Sequence, residues 1–147
     1  MKKSFLLLLG LLVAGMITTF SQNDMILNPR VEETFKKEFP EAQFVRWTEG
    51  TDYSRVDFVL MDYRLGALFS NDGQLLETHR DLIYNQLPLT VMKGLEKDFP
   101  EADFSQIEEI SNSDGTKYKL QVETKKRYYT VLATADGTIS IVERSKK

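Results

Sequence analysis

Apolar side chains recur along this chain with two spacings, and the spacing switches each time a proline is passed. Val31, Phe35 and Phe39 stand four apart, as do Val91, Leu95 and Phe99. That period draws one stripe along an amphipathic helix, with Lys36, Lys37 and Glu38 turned to water. Asn28-Pro29 offers a capping side chain and a first-turn proline, and Pro40 disfavours helical geometry at Phe39. A helix is therefore predicted from Asn28 to Phe39. Pro88 opens a second one and Pro100 closes it.

After each helix the period drops to two, the signature of strands. Strands are predicted over Phe44–Thr48, Tyr53–Met61, Tyr63–Phe69 and Gln74–His79, with a turn at Glu49-Gly50. Val56, Phe58 and Leu60 fall on one side, as do Leu65, Ala67 and Phe69. Asn71-Asp72-Gly73 carries the residues that a tight hairpin demands. Asp81 to Gln86 reads as a helical turn joining two halves. The second series is Phe104–Ile110, a polar loop at Asn112-Ser113-Asp114-Gly115, then Tyr118–Glu123, Tyr128–Ala133 and Ile139–Val142 around an Asp136-Gly137 turn. Arg144 to Lys147 reads as a polar, frayed tail.

The two series are related. Phe39-Pro40-Glu41-Ala42 returns sixty residues on as Phe99-Pro100-Glu101-Ala102, and Phe44 and Trp47 align with Phe104 and Ile107. Further along the offset is sixty-four, which brings Asp72-Gly73 onto Asp136-Gly137. The expected fold class is α+β: a tandem repeat of one helix plus antiparallel strands, helices packed on one face of a shared antiparallel sheet. The repeats run over 28–84 and 85–147. A half of about sixty residues would bury only about 60% of its unfolded surface, so one domain with one shared core is expected.

Residues 1–21 have the form of a signal peptide, with Lys2 and Lys3 ahead of an apolar run from Phe5 to Ala14. Thr19-Phe20-Ser21 favours cleavage before Gln22; the alternative is an uncleaved anchor, for which the run is short of the roughly twenty residues that span a bilayer. Residues 22–27 are then a flexible lead-in. The chain has no Cys, which excludes a lipid-modified cysteine and leaves stability to packing. A periplasmic or secreted destination is expected, with no membrane insertion after cleavage. Net charge is −3 for the whole chain and −5 without Lys2 and Lys3, which argues against nucleic acid as a partner.

Few residues offer chemistry. His79 is the only histidine, and it reads as a surface or linker side chain rather than a general base. One His without Cys makes a transition-metal site unexpected. Glu32-Glu33 and Glu108-Glu109 are neighbours that point in different directions. Neither Asp-Gly turn continues as a calcium loop, and no glycine-rich phosphate loop is present. No enzyme activity and no cofactor are expected.

The ordered set is a helix, Phe-Pro-Glu-Ala, a strand ending in Trp47, a Tyr-bearing strand, an Asp-Gly hairpin and a Leu87-Pro88 linker, then the unit again. Over Asn28 to Val142 it resembles the PepSY-like, beta-lactamase-inhibitor-like proteins exported by Bacteroidetes. The resemblance implies helices on one side of an antiparallel sheet and an open face on the other. It also implies binding or inhibition of a protein in the periplasm. Characterised inhibitors of that shape carry disulfides and this chain has none, which points the resemblance to the scaffold rather than to lactamase inhibition.

On the side of the strands away from the helices, Arg46, Arg55, Arg64, Leu68, Tyr128 and Leu132 are the candidate partner-binding residues. Arg and Tyr cover much area and keep a hydrogen-bonding tip, which suits them to interfaces. Trp47, by its alignment with Ile107, is expected in the core, as are Phe39 and Phe99. The expected function is an exported interaction module that binds an envelope protein or peptide, an enzyme to be inhibited among them, through the open sheet face. The alternative is a small-ligand carrier with a pocket between sheet and helices.

Overall fold

The computed structural model describes residues 27–147; the expected signal peptide and residues 22–26 of the lead-in lie outside them. Two helices, α1 (Pro29–Glu38) and α2 (Leu89–Asp98), accompany eight strands. These are β1 (Gln43–Glu49), β2 (Tyr53–Leu60), β3 (Tyr63–Ser70), β4 (Leu75–Leu82), β5 (Asp103–Asn112), β6 (Gly115–Glu123), β7 (Arg127–Thr134) and β8 (Ile139–Lys146). They form one antiparallel sheet in sequence order, so every ladder joins chain neighbours. Among the described residues, no helix is long and apolar enough to cross a membrane.

Each helix begins and ends where its local chemistry requires. The Asn28 side chain accepts a hydrogen bond from the Arg30 N–H at 3.0 Å, and Glu32 pairs with Lys36 at 2.6 Å one turn on. Before Pro40 and Pro100 the chain leaves the helix identically: Phe39 has φ −130°, ψ 61° and Phe99 has φ −132°, ψ 64°. The N–H groups of Phe39 and Phe99 donate to the carbonyls of Phe35 and Leu95, at 2.8 Å each.

The hairpin turns dock on the helix starts. Gly73 and Gly137 have φ of +92° and +89°, a backbone region that favours glycine. Asn28 Nδ2 donates to the Asn71 carbonyl at 2.6 Å, and Thr90 Oγ1 to the Ala135 carbonyl at 2.7 Å. Within the turns, Ser70 donates to Asp72, and Thr134 Oγ1 donates to Asp136 Oδ1 at 2.5 Å. These hydroxyls, with backbone N–H groups, hold both carboxyls below their ordinary value of 3.8. A carboxyl whose value is lowered by folding adds stability that is fully present above the unfolded value and is lost as pH falls below it. Asp136→Asn is therefore expected to flatten the decline in stability as pH falls below about 4, read by denaturant melts at successively lower pH. An unchanged acid slope would contradict this role.

Instead of the single shared core expected from chain length, the buried apolar side chains form two clusters. Val31 and Phe35 of α1 pack with Val56, Phe58, Ala67 and Phe69 of β2 and β3. Val91 and Leu95 of α2 pack with Ile107, Leu120, Val122, Val131 and Ala133 of β5 to β7, joined by Leu82, Leu87 and Tyr118. Between them the sheet is polar. Arg80 of β4 pairs with Glu109 of β5 at 3.0 Å and lies 5.8 Å from the Tyr63 ring centroid. Burial, reinforced by Glu109, pushes the Tyr118 hydroxyl above its ordinary value. Two charged side chains and a tyrosine hydroxyl at the junction keep the clusters from merging.

Several boundaries differ from the sequence expectation. β4 runs on to Leu82 because Arg80, Asp81 and Leu82 pair with Glu109, Glu108 and Ile107, which shrinks the linking turn to a 3-10 turn at Tyr84–Gln86. The polar loop at Asn112–Gly115 is a tight turn, closed by the Asn112–Gly115 pair with Gly115 at φ +116°. The tail is not frayed: Arg144, Ser145 and Lys146 pair with Tyr129, Tyr128 and Arg127. Leu27, expected in the lead-in, packs against the first cluster.

The aligned residues Phe44 and Phe104 differ in setting: Phe44 is 83% exposed, whereas Phe104 stacks on Tyr84 at 5.1 Å. A bulge between Gln43 and Arg46 turns Phe44 outward at φ +53°. Trp47, just beyond it, sits where alignment with Ile107 places it, 5.1 Å edge-on to Phe35.

Candidate functional site

Neighbours on a strand point to opposite sides, so the residues that alternate with Val56, Phe58 and Ala67 lie on the side away from α1. There Arg55 Nε and Nη2 donate to Asp57 Oδ1 at 3.1 and 2.9 Å. That hydrogen bond holds the Arg55 guanidinium above its ordinary value. Both side chains lie over Gly66, where a Cβ would stand 3.2 Å from Asp57 Oδ1 and 3.5 Å from the His79 Cβ. Glycine at 66 leaves the notch in which the network closes.

His79 fills the other side of the notch. Its Nε2 lies 2.7 Å from Glu77 Oε1 and its Nδ1 2.8 Å from Glu108 Oε1, with only 14% of the side chain exposed. The sequence reading as a surface or linker histidine is thus corrected. Glu108 arrives from the other half of the chain through the β4–β5 ladder, and it closes the ring over. With both nitrogens engaged by carboxylates, neither is turned toward an incoming substrate as a general base must be.

Around this network the face sinks into an open depression of about 380 Å³, lined by Phe44, Arg46, Val59, Arg64 and Asp81 together with Arg55, Asp57, Gly66, His79 and Glu108. A second depression, lined by Lys119, Gln106 and Gln121, adjoins it and shares Asp81 and Glu108. Of the six residues nominated from the sequence, Arg46, Arg55 and Arg64 line the first depression. Leu68 stands beside it, opposite Arg55 and Glu77 in the two flanking ladders. Tyr128 and Leu132 do not join them. Both are on β7: Leu132 pairs with Lys119, and Tyr128 lines a separate small depression with Thr130 and Glu143, its ring 5.5 Å from the Lys147 ammonium.

Sequence reasoning missed Phe44, Gly66, His79 and Glu108 as parts of this site. Alternation places Asp57 on the correct side, but the bulge that exposes Phe44 has no residue-type signature. The His79–Glu108 contact spans twenty-nine residues and depends on the β4–β5 register. Among the described residues, no cluster of three or more His, Asp or Glu side chains is placed to hold a metal ion.

No known family profile matches the sequence, and no curated protein does. Solved structures do match in three dimensions. A protein assigned to the periplasm of Bacteroides eggerthii superposes with a TM-score of 0.70 at 18% identity, over 80% of this chain and 87% of that one. A DUF2874 family protein from Bacteroides ovatus gives 0.70 at 20% identity, over 80% and 86%. A BLIP-like protein from Bacteroides fragilis gives 0.67 at 17%, over 80% and 84%. One of the three is named BLIP-like and none bears the PepSY name, so they lend no support to the PepSY label of the sequence resemblance. At such identities what is shared is the fold: an eight-stranded antiparallel sheet with two helices, common to this chain and to these Bacteroides proteins.

Proposed function

We propose that this chain is an exported, non-enzymatic interaction module that binds an envelope protein or peptide through the sheet face carrying Arg46, Arg55, Arg64 and Leu68. The observation that carries the reading is the depression itself. It is open, lined by charges of both signs, and floored by a histidine whose two nitrogens are already committed. Such a surface suits recognition, where complementary charge sets register and partner choice. Tyr128 and Leu132 extend the same face into the second half. Enzyme inhibition is one form that binding would take, and the BLIP-like likeness agrees with it. Export to the periplasm agrees with the first twenty-one residues and with the periplasmic assignment of a fold neighbour.

The reading includes a duplicated unit with both helices on one side. The matched exits at Phe39 and Phe99 support it, as do the matched dockings of the hairpin turns on the helix starts. So does the pairing of Leu65 with Arg80, Arg80 with Glu109 and Glu109 with Tyr118, which carries one pleat side from the α1 cluster to the α2 cluster. A ligand pocket between sheet and helices has less room, because Val31, Val56 and Phe69 are wholly buried there.

The test is affinity capture from cell-envelope extract with the mature protein as bait. Replacing Arg64 and Tyr128 by alanine together is expected to abolish enrichment of the captured protein while the thermal midpoint stays within a few degrees, since surface changes cost within about 0.5 kcal/mol. Undiminished capture by the double variant would refute the face assignment.

A further inference from the structure

The geometry points to a carboxylate-reading subsite at one corner of this face, formed by Phe44, Arg46, Val59 and Arg64, whose ligand is a peptide segment bearing Asp or Glu beside an apolar side chain. The inference rests on the interaction reading and names the chemistry of the partner.

Three observations carry it. First, of the three arginines that line the depression only one has an ion pair. Arg55 has Asp57 at 2.9 Å, whereas Arg46 and Arg64, like Arg127 and Arg144 elsewhere on the sheet, have no carboxylate within 4 Å of the guanidinium among the described residues. Arg46 stands opposite Asp57 in the β1–β2 ladder, but that carboxylate is already engaged by Arg55 at two distances. Asp81 stands next to Arg64, one step beyond the Leu65–Arg80 pair of the β3–β4 ladder, without coming within ion-pair distance, and Glu108 beside it is committed to His79.

Second, the apolar element is set out deliberately in the backbone. Phe44 occupies positive φ, an uncommon region for an aromatic residue, within a bulge that leaves it 83% exposed. Met61, which together with Val59 lines the adjoining hollow with Glu41 and Asp62, is 75% exposed. A lone exposed apolar residue needs no explanation, but Phe44, Val59 and Met61 gather at one corner.

Third, charge selects the occupant. Arg46 and Arg64 flank Val59, which pairs with Arg64 on one side and with Gln43, just before the bulge, on the other. A guanidinium fork binds carboxylate in a defined geometry, and an aromatic beside it accepts an apolar neighbour. On a chain of net charge −3, the guanidinium groups of Arg46 and Arg64 are the groups here that would draw an acid, in a depression that Asp57 and Asp81 also line.

The test titrates 15N-labelled protein with two blocked synthetic peptides, Gly-Phe-Glu-Gly and Gly-Phe-Gln-Gly, read by amide and arginine side-chain NMR shifts. The Glu peptide is expected to move resonances of residues 43–46 and 59–64. The Gln peptide should bind at least about tenfold more weakly, the loss of one charge-assisted pair. A Phe44→Asn, Arg46→Gln variant should keep a folded spectrum, since Asn tolerates positive φ, and should lose the response. Equal binding of both peptides, shifts centred elsewhere, or no shifts at millimolar peptide would each overturn the subsite. Those outcomes are separable from the face reading: envelope capture without peptide shifts sinks only the subsite, and peptide shifts without capture sink only the partner reading.

Discussion

Phe35→Ala is expected to remove about 3–5 kcal/mol of folding stability, the usual cost of emptying a large aromatic site in a core. Phe35 is 5% exposed and is the hub of the first cluster. Its ring centroid lies 5.1 Å from Trp47, 5.2 Å from Phe58, 5.6 Å from Phe39 and 6.4 Å from Phe69. Edge-on contacts of this kind add to area burial, so the loss exceeds that for an aliphatic residue of equal volume. Because Trp47 leans on this ring, its fluorescence should shift to the red in the variant under native conditions. Denaturant melts followed by that fluorescence supply the free energy. A loss under about 1 kcal/mol would mean that α1 does not depend on its aromatic stripe.

Gly137→Ala should cost about 3 kcal/mol, the sum of a positive-φ penalty and a steric one. The residue has φ +89°, and a Cβ there would stand 2.4 Å from the Thr90 carbonyl oxygen. The closeness is reciprocal, since a Cβ on Gly94 would fall 2.2 Å from the Gly137 oxygen. Both obstacles are backbone atoms, so no rotamer change relieves them. Gly115 separates the two terms: it has φ +116° with nothing within 4 Å of its Cβ position. Gly115→Ala should therefore show only the conformational part, about 1–2 kcal/mol. Equal losses for the two variants would show that the turn does not press on α2.

Much of this architecture is readable from residue order because the deciding chemistry is local. Asn28-Pro29 and the prolines at 40, 88 and 100 fix both helices, and the two Asp-Gly pairs fix the hairpins. Alternation in β2, β3 and β7 identifies the buried side because one side of each is covered. The misses are where that condition fails. β8 is an edge strand, exposed at every residue from Ser140 onward, so its pattern carries no alternation and its end looks like a tail. The bulge at Phe44 shifts the register by an amount set by the partner strand. The burial of His79 escapes the sequence because it depends on Glu108, which reaches it across the β4–β5 ladder from the other half, whereas Glu77 is a same-strand neighbour. The three arginines were found by alternation alone, whereas the shape that gathers them was not visible in it.

The polar junction has a mechanical consequence. Apolar contact across the β4–β5 ladder is confined to the Leu82–Ile107 pair at one end, so along the rest of that ladder the halves are held by backbone hydrogen bonds with His79–Glu108 on one side of the sheet and Arg80–Glu109 on the other. Dispersion forces in a close-packed interior resist shear, but ion pairs and a single ladder yield to small changes in twist. The angle between the two halves of the sheet is therefore expected to vary more easily than the packing inside either cluster. A hinge of this make is expected to respond to ionic strength, which screens its ion pairs and leaves the two clusters untouched.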